Sequence, residues 1–136
     1  MLINYFNTLP ENSILQYSDI GCHFNKDGIE RLKDYIQMTE KNNMTVFEYG
    51  DPPHEMKKLN YRFQKYMEYE YTKGDVIKYF GLNFDSKIFN SPQIWGGTFF
   101  MKKCDFVYKL LKQWEEANNH TELLDDTESK YKNHEK

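Results

Sequence analysis

Along the chain, short apolar runs alternate with segments whose apolar positions recur at helical spacing. Ser13-Ile-Leu-Gln-Tyr-Ser18 reads as a short buried strand over 14–18, stopped by Asp19-Ile-Gly21. Asp27 with Glu30 three residues later marks a helix start, and Ile29, Leu32 and Ile36 then share one face with Tyr35 beside it, which predicts a helix over 27–41. Met44-Thr-Val-Phe-Glu-Tyr49 alternates in the β manner, predicting a strand over 45–49 that ends in the turn Gly50-Asp51-Pro52-Pro53. Over 54–71, Leu59, Phe63, Tyr66 and Met67 fit helical spacing, yet the tyrosines of that stretch suit a strand equally, so both readings stay open. Thr72-Lys-Gly-Asp75 resembles a helix start for 76–80, closed by Gly81. Residues 94–101 read as a buried strand interrupted by Gly96-Gly97. The clearest helix is 105–117, where Phe106, Val107, Leu110, Leu111 and Trp114 form one apolar stripe, with Phe106, Leu110 and Trp114 expected to face inward. Alternating strands and helices point to an α/β layered domain.

Length and charge narrow what such a domain can do. With 136 residues the chain has room for one domain and a single core. Its 18 Lys+Arg against 21 Asp+Glu give a net charge of −3, which excludes a general polyanion binder. Arg31 and Arg62 are the only arginines, so the forked donors favoured for phosphate and base-edge recognition are scarce. A mean hydropathy of −0.87 would suit a disordered chain, but 17% aromatic residues argue for a packed core. No apolar run approaches the roughly 20 residues that cross a bilayer, and the N-terminus lacks the pattern of a signal peptide. Cys22 and Cys104 match neither a metal nor a redox spacing, and His23, His54, His120 and His134 share no ligand spacing. A reduced, cytoplasmic protein is the default expectation. After Leu124 the composition turns polar and acidic, so the domain is expected over 1–124, with a polar loop and tail over 125–136.

Three places could carry chemistry. Asp19 follows a strand and precedes Gly21; in α/β sheets ligands bind beyond the carboxyl ends of strands, and a carboxylate there suits a divalent cation carrying a diphosphate. It could equally cap the following loop. In Gln93-Ile-Trp95-Gly96-Gly97, glycines inside an apolar strand mark a bulge or a close approach, and Trp95 offers a flat face for a sugar; Trp95 as core and the glycines as a bulge is the other reading. Asp125-Asp126 after a helix could act as base and orienter, or form a solvated loop built on Asx turns. Tyr17, Tyr66, Tyr69, Tyr71 and Tyr79 read as core edges, and Cys22 as a structural thiol.

Taken in order, Tyr17-Ser-Asp-Ile-Gly-Cys22, Tyr71-Thr-Lys-Gly-Asp75, Asn90-Ser-Pro-Gln-Ile-Trp-Gly-Gly-Thr98 and Asp125-Asp126-Thr127 resemble a family of glycosyltransferases. These occur in bacterial surface-polysaccharide gene clusters and giant viruses, and have a GT-A, nucleotide-diphospho-sugar transferase fold. The resemblance runs over 14–129. It implies a partial GT-A-like (Rossmann-like) mixed sheet flanked by helices, and the transfer of a sugar from a nucleotide-diphosphate sugar to a glycan or lipid-linked acceptor. Asp19 would take the place of the Asp-x-Asp motif beside the sugar nucleotide, holding Mg²⁺ or Mn²⁺; Gly21 stands where that motif has its second acid. Gln93, Trp95, Gly96 and Gly97, with Gly21, would line the substrate pocket, and Asp125 or Asp126 would be the base on the acceptor hydroxyl.

The family places a βαβ portion upstream and a His-Arg-His-Asp-Gln-Ser-like segment downstream, so the chain is expected to be an internal piece, incomplete at both ends. Its sheet would then have an uncovered edge, favouring self-association or a complementing chain. The alternative function is a catalytically inactive truncated remnant or interaction module. No nucleic-acid partner and no transmembrane segment are expected.

Overall fold

The computed structural model describes residues 2–22, 25–49 and 67–131. Three strands, β1 (Ile14–Ser18), β2 (Met44–Glu48) and β3 (Ile94–Lys102), form one sheet in the order β1-β3-β2. The helices are α1 (Leu2–Thr8), α2 (Ile29–Asn42) entered through a 3₁₀ turn at Lys26–Gly28, α3 (Glu68–Tyr71), α4 (Gly74–Tyr79), α5 (Asp105–Asn118) and α6 (Thr121–Leu124). The three strands fall where alternation predicted them, to within a residue or two. The Gly50–Pro53 turn, the segment 54–66 with Tyr66, His23 and the tail beyond 131 lie outside the described residues.

β1 pairs antiparallel with β3 in unbroken register from Ile14↔Lys102 to Ser18↔Thr98. On the other side of β3, Lys102 N–H donates to the Asn43 carbonyl and Tyr49 N–H to the Gln93 carbonyl, so β2 is antiparallel to β3 as well. Every neighbouring pair among the described strands is therefore antiparallel, where a mixed sheet was expected. β1 and β2 do run the same way and are joined through α2, as in a parallel crossover. β3 is inserted between them, giving a split β-α-β arrangement.

The chain divides into two compact units, Met1–Phe47 with Trp95–Asn119, and Glu48–Ile94 with His120–Lys136. In the first, alternation along β1 and β3 sends side chains to two faces. Phe99 and Met101 join Ile3 and Phe6 of α1 and Val107 and Leu111 of α5 in the buried cluster. Phe100 points the other way, meeting Tyr35 of α2 and Phe47 of β2 with ring centroids 5.7 and 6.3 Å away. The unit is thus a three-layer arrangement, α1 and α5 on one face and α2 on the other. Thr39, fully buried, donates from Oγ1 to the Tyr35 carbonyl (2.7 Å) and lies 2.8 Å from Thr45 Oγ1, which ties α2 to β2 with its polar atom satisfied.

Two helix faces differ from expectation. On α5, Val107 and Leu111 are buried, whereas Phe106, Leu110 and Trp114 are 62%, 37% and 47% exposed. A stripe of five apolar residues spans more arc than one contact can cover, and α1 docks against the Val107–Leu111 side, which sets the rotation of α5. On α2 the half-buried Leu32, Tyr35 and Ile36 continue to Thr39, while Ile29 at the first turn is exposed. α1 itself was not anticipated.

The second unit has a smaller core of Ile77, Phe89 and Leu123. Met67 bridges to Pro92, and Phe89 packs near Tyr69 and Phe84. α4 stops where expected: Gly81 takes a left-handed φ of 67°, a conformation that costs glycine nothing. The 125–131 segment belongs with α4 rather than forming a free tail.

Candidate functional site

At the carboxyl end of β1, Asp19 and Cys22 meet Gly97 and Tyr17 meets Thr98 at the amino end of β3. The antiparallel register that pairs Ser18 with Thr98 brings Asp19 N–H onto the Gly97 carbonyl at 2.8 Å, so two blocks singled out separately in the sequence form one junction. Ser18 Oγ and Thr98 Oγ1 lie 3.1 Å apart, and Thr98 Oγ1 donates to the Tyr17 carbonyl at 2.8 Å. Cys22 N–H donates to the Asp19 carbonyl (2.9 Å) and its thiol to the Gly97 carbonyl (3.6 Å).

Asp19 is exposed, and its Oδ1 accepts a hydrogen bond from the Tyr17 hydroxyl at 2.7 Å. That bond, and then the carboxylate's charge, raise the Tyr17 phenol above the ordinary tyrosine value, since both disfavour the phenolate. The Tyr17 ring stacks on Phe99 at 4.8 Å, so a buried aromatic holds the group that orients Asp19. Oδ2 has no hydrogen bond among the described residues. Gly21 and Gly96 are exposed, with nothing within 4 Å of an added Cβ. No cluster of three or more His, Cys, Asp or Glu able to hold a metal occurs among the described residues. Where one carboxylate holds a divalent cation, phosphates and water supply its other ligands.

Gly97 is explained by its neighbour. A Cβ there would lie 2.6–2.7 Å from three atoms of the Trp95 indole, so the ring lies across the glycine while Trp95 stays 37% exposed. The close approach is by the chain's own side chain, and the pairing with β1 contains no bulge between Ile14 and Ser18. Gly97→Ala should therefore push the indole outward: tryptophan emission shifts to the red, at little cost in stability because the half-exposed ring can yield. Gly96→Ala should leave both unchanged, and equal spectra for the two variants would show that the ring does not rest on Gly97.

The other candidates belong to the second unit. Gln93 is half-buried, and its backbone carbonyl accepts the Tyr49 N–H. Asp125 Oδ1 accepts from Lys73 Nζ at 2.7 Å and from Thr127 Oγ1 and N–H at 2.5 and 3.2 Å. Lys73 Nζ also donates to the Glu122 carbonyl at 2.7 Å. The Lys73 ammonium foremost, with the Thr127 hydroxyl, lowers the Asp125 carboxyl to about 2. A carboxylate so stabilised is a weak base, and the bond to Thr127 N–H is the Asx turn read as the alternative. Asp126 is exposed and has no hydrogen bond among the described residues. Asp75 accepts from Ser129 Oγ and from Lys130 N–H, which lower its carboxyl too, the Ser129 bond most. The Thr72–Asp75 block thus clamps the 125–130 segment, a long-range pairing that the sequence does not signal.

The clamp has a pH signature. Because the folded-state value of Asp125 lies below the ordinary aspartate value of about 3.9, its contribution is complete above that value and is lost as pH falls through about 2. NMR titration of the Asp125 carboxyl should give about 2 in the native protein. In Lys73→Met it should rise toward the ordinary value of about 3.9, still held below it by the Thr127 bonds; an unmoved titration would mean that Lys73 does not pair with it.

Among the described residues no helix is long and apolar enough to cross a membrane. Set against protein-family models, curated proteins and solved structures, the chain finds no match.

Proposed function

We infer that the chain is a glycosyltransferase-like domain with a GT-A-like ancestry, acting on a nucleotide-diphosphate sugar and a glycan or lipid-linked acceptor. The observation that supports this most is the junction of Asp19 with the Trp95-Gly96-Gly97 block through the 2.8 Å bond to Gly97. It sets an exposed carboxylate and a half-exposed indole in one unit. Asp19 would contact the diphosphate directly or through Mg²⁺ or Mn²⁺, whose positive charge would stabilise the leaving group. Trp95 would offer its face to the sugar, with Gly21 and Gly96 free of any atom within 4 Å of an added Cβ.

The second reading, a non-catalytic module, is favoured by Asp125. Its tie to Lys73 and its low carboxyl value leave it poorly suited to take a proton from an acceptor hydroxyl, and Asp126 would carry that role alone. Calorimetric titration of the chain with UDP- and GDP-sugars in the presence of Mn²⁺ separates the readings. Saturable, metal-dependent binding supports the transferase domain; no heat with any sugar nucleotide supports the module.

A further inference from the structure

On the α2 face of the sheet, the first unit contains a cavity of about 220 Å³, whose lining includes Thr98. Gln16, Phe47 and Phe100 line its sheet side and Asn25, Arg31 and Tyr35 its helix side, leaving it open to solvent. We propose that this cavity is a binding site for a small ligand made of one planar ring bearing an anionic carboxylate or phosphate group.

The lining supplies both halves of that description. Tyr35, Phe47 and Phe100 give an aromatic wall in which Tyr35 and Phe47 meet edge to face at 4.9 Å, leaving ring surface toward the cavity. A flat apolar body is what such a wall receives best. The volume is below the ~300–1,000 Å³ typical of drug-sized sites, which limits the ligand to a single ring with a short substituent. Among the described residues, Arg31 is the one permanently charged side chain of the lining, and no carboxylate lines the cavity. Among the described residues Arg31 forms no ion pair, so its fork of donors is available. Asn25 adds to it: its Oδ1 is occupied by the Asp27 N–H at 3.0 Å, which leaves the amide hydrogens to donate. Gln16 Nε2 is directed to Ser18 Oγ at 3.2 Å, leaving its carbonyl oxygen for a ring donor. A guanidinium and an amide beside an aromatic wall select an anionic oxygen group on a ring, since the fork binds such groups through paired, charge-assisted bonds.

Asp19, Gly21, Gln93, Trp95, Gly96 and Gly97 are absent from this lining, so the site stands independently of the function proposed above. The test is an amide-resolved NMR titration of the full chain with benzoate, phenyl phosphate, benzamide and inorganic phosphate. Benzoate or phenyl phosphate should shift the Gln16, Arg31 and Phe47 resonances saturably. Benzamide, with a ring but no charge, and inorganic phosphate, with charge but no ring, should bind at least about tenfold more weakly. Arg31→Gln, at an exposed helix position, should keep the fold and weaken the anionic ring by about tenfold or more, while Arg31→Lys should lose less. Equal response to benzamide, shifts centred elsewhere, an indifferent Arg31→Gln, or no binding at ligand concentrations of about 10 mM would each overturn the assignment.

Discussion

Phe6→Ala should remove most of the stability of the three-layer unit, lowering its thermal midpoint by about 15 °C or more. Phe6 is completely buried, among Ile3, Met101, Val107 and Leu111, and the Lys103 ammonium sits 4.7 Å from its ring centroid. Truncating a buried phenylalanine costs about 3–5 kcal/mol, the lost transfer energy plus the cavity left behind. Native domains hold only about 5–15 kcal/mol in total, so one residue of a seven-residue helix governs whether the unit persists. Tyr5→Ala is the comparison: Tyr5 is 56% exposed on the same helix, and its loss should stay within about 0.5 kcal/mol. Circular-dichroism melts of the two variants decide the matter. If they melt together, α1 is not docked on the sheet.

That prediction rests on the element least visible in the sequence. Leu2, Ile3, Tyr5 and Phe6 are too few, and too closely spaced, to declare a period, and no side-chain cap precedes them. Helices this short are marginal on their own, so α1 exists because Ile3 and Phe6, three residues apart, fit one hollow over Met101 and Val107. The rotation of α5 was hidden for the same reason. Its five-residue apolar stripe is legible, but which part turns inward depends on α1 occupying the Val107–Leu111 side. Strands were easier because alternation and turn residues are local: β1 and β3 are written in Ile14–Ser18 and Ile94–Lys102 almost to the residue. Their antiparallel pairing is not local, and it separates this sheet from the mixed one that the resemblance implied.

The candidate site divides along the same line. Asp19, Trp95 and Gly97 stand out by residue type and position, and their meeting follows from the Ser18↔Thr98 register. Lys73 does not stand out, because nothing in a sequence of 18 basic and 21 acidic residues says which cation will choose Asp125. Asp125 therefore looked as available as Asp126 until folding showed it engaged. A carboxylate's neighbours in sequence say little about its basicity; its neighbours in space decide it.

Asp19→Asn should weaken the binding of a sugar nucleotide with Mn²⁺ by roughly tenfold to a hundredfold, the effect of losing one charge-assisted contact while keeping its shape. The exposed carboxylate lies just past β1, with one oxygen held by the Tyr17 hydroxyl and the other without a hydrogen bond among the described residues. Asparagine preserves an acceptor for Tyr17 but cannot offer a charge to a cation-bound diphosphate. Asp34→Asn, at an exposed position of α2, removes the same charge from the same unit and should change binding little. A second reading comes without any ligand: the Tyr17 phenol, raised by Asp19, should titrate closer to its ordinary value in Asp19→Asn and stay put in Asp34→Asn. The two measurements answer different questions. A Tyr17 shift with unchanged binding would keep the junction and leave Asp19 as the strand-end acceptor of the Tyr17 hydroxyl. Loss of both together would tie that junction to the diphosphate, because the hydroxyl that orients the carboxylate and the cation that uses it act on the same side chain.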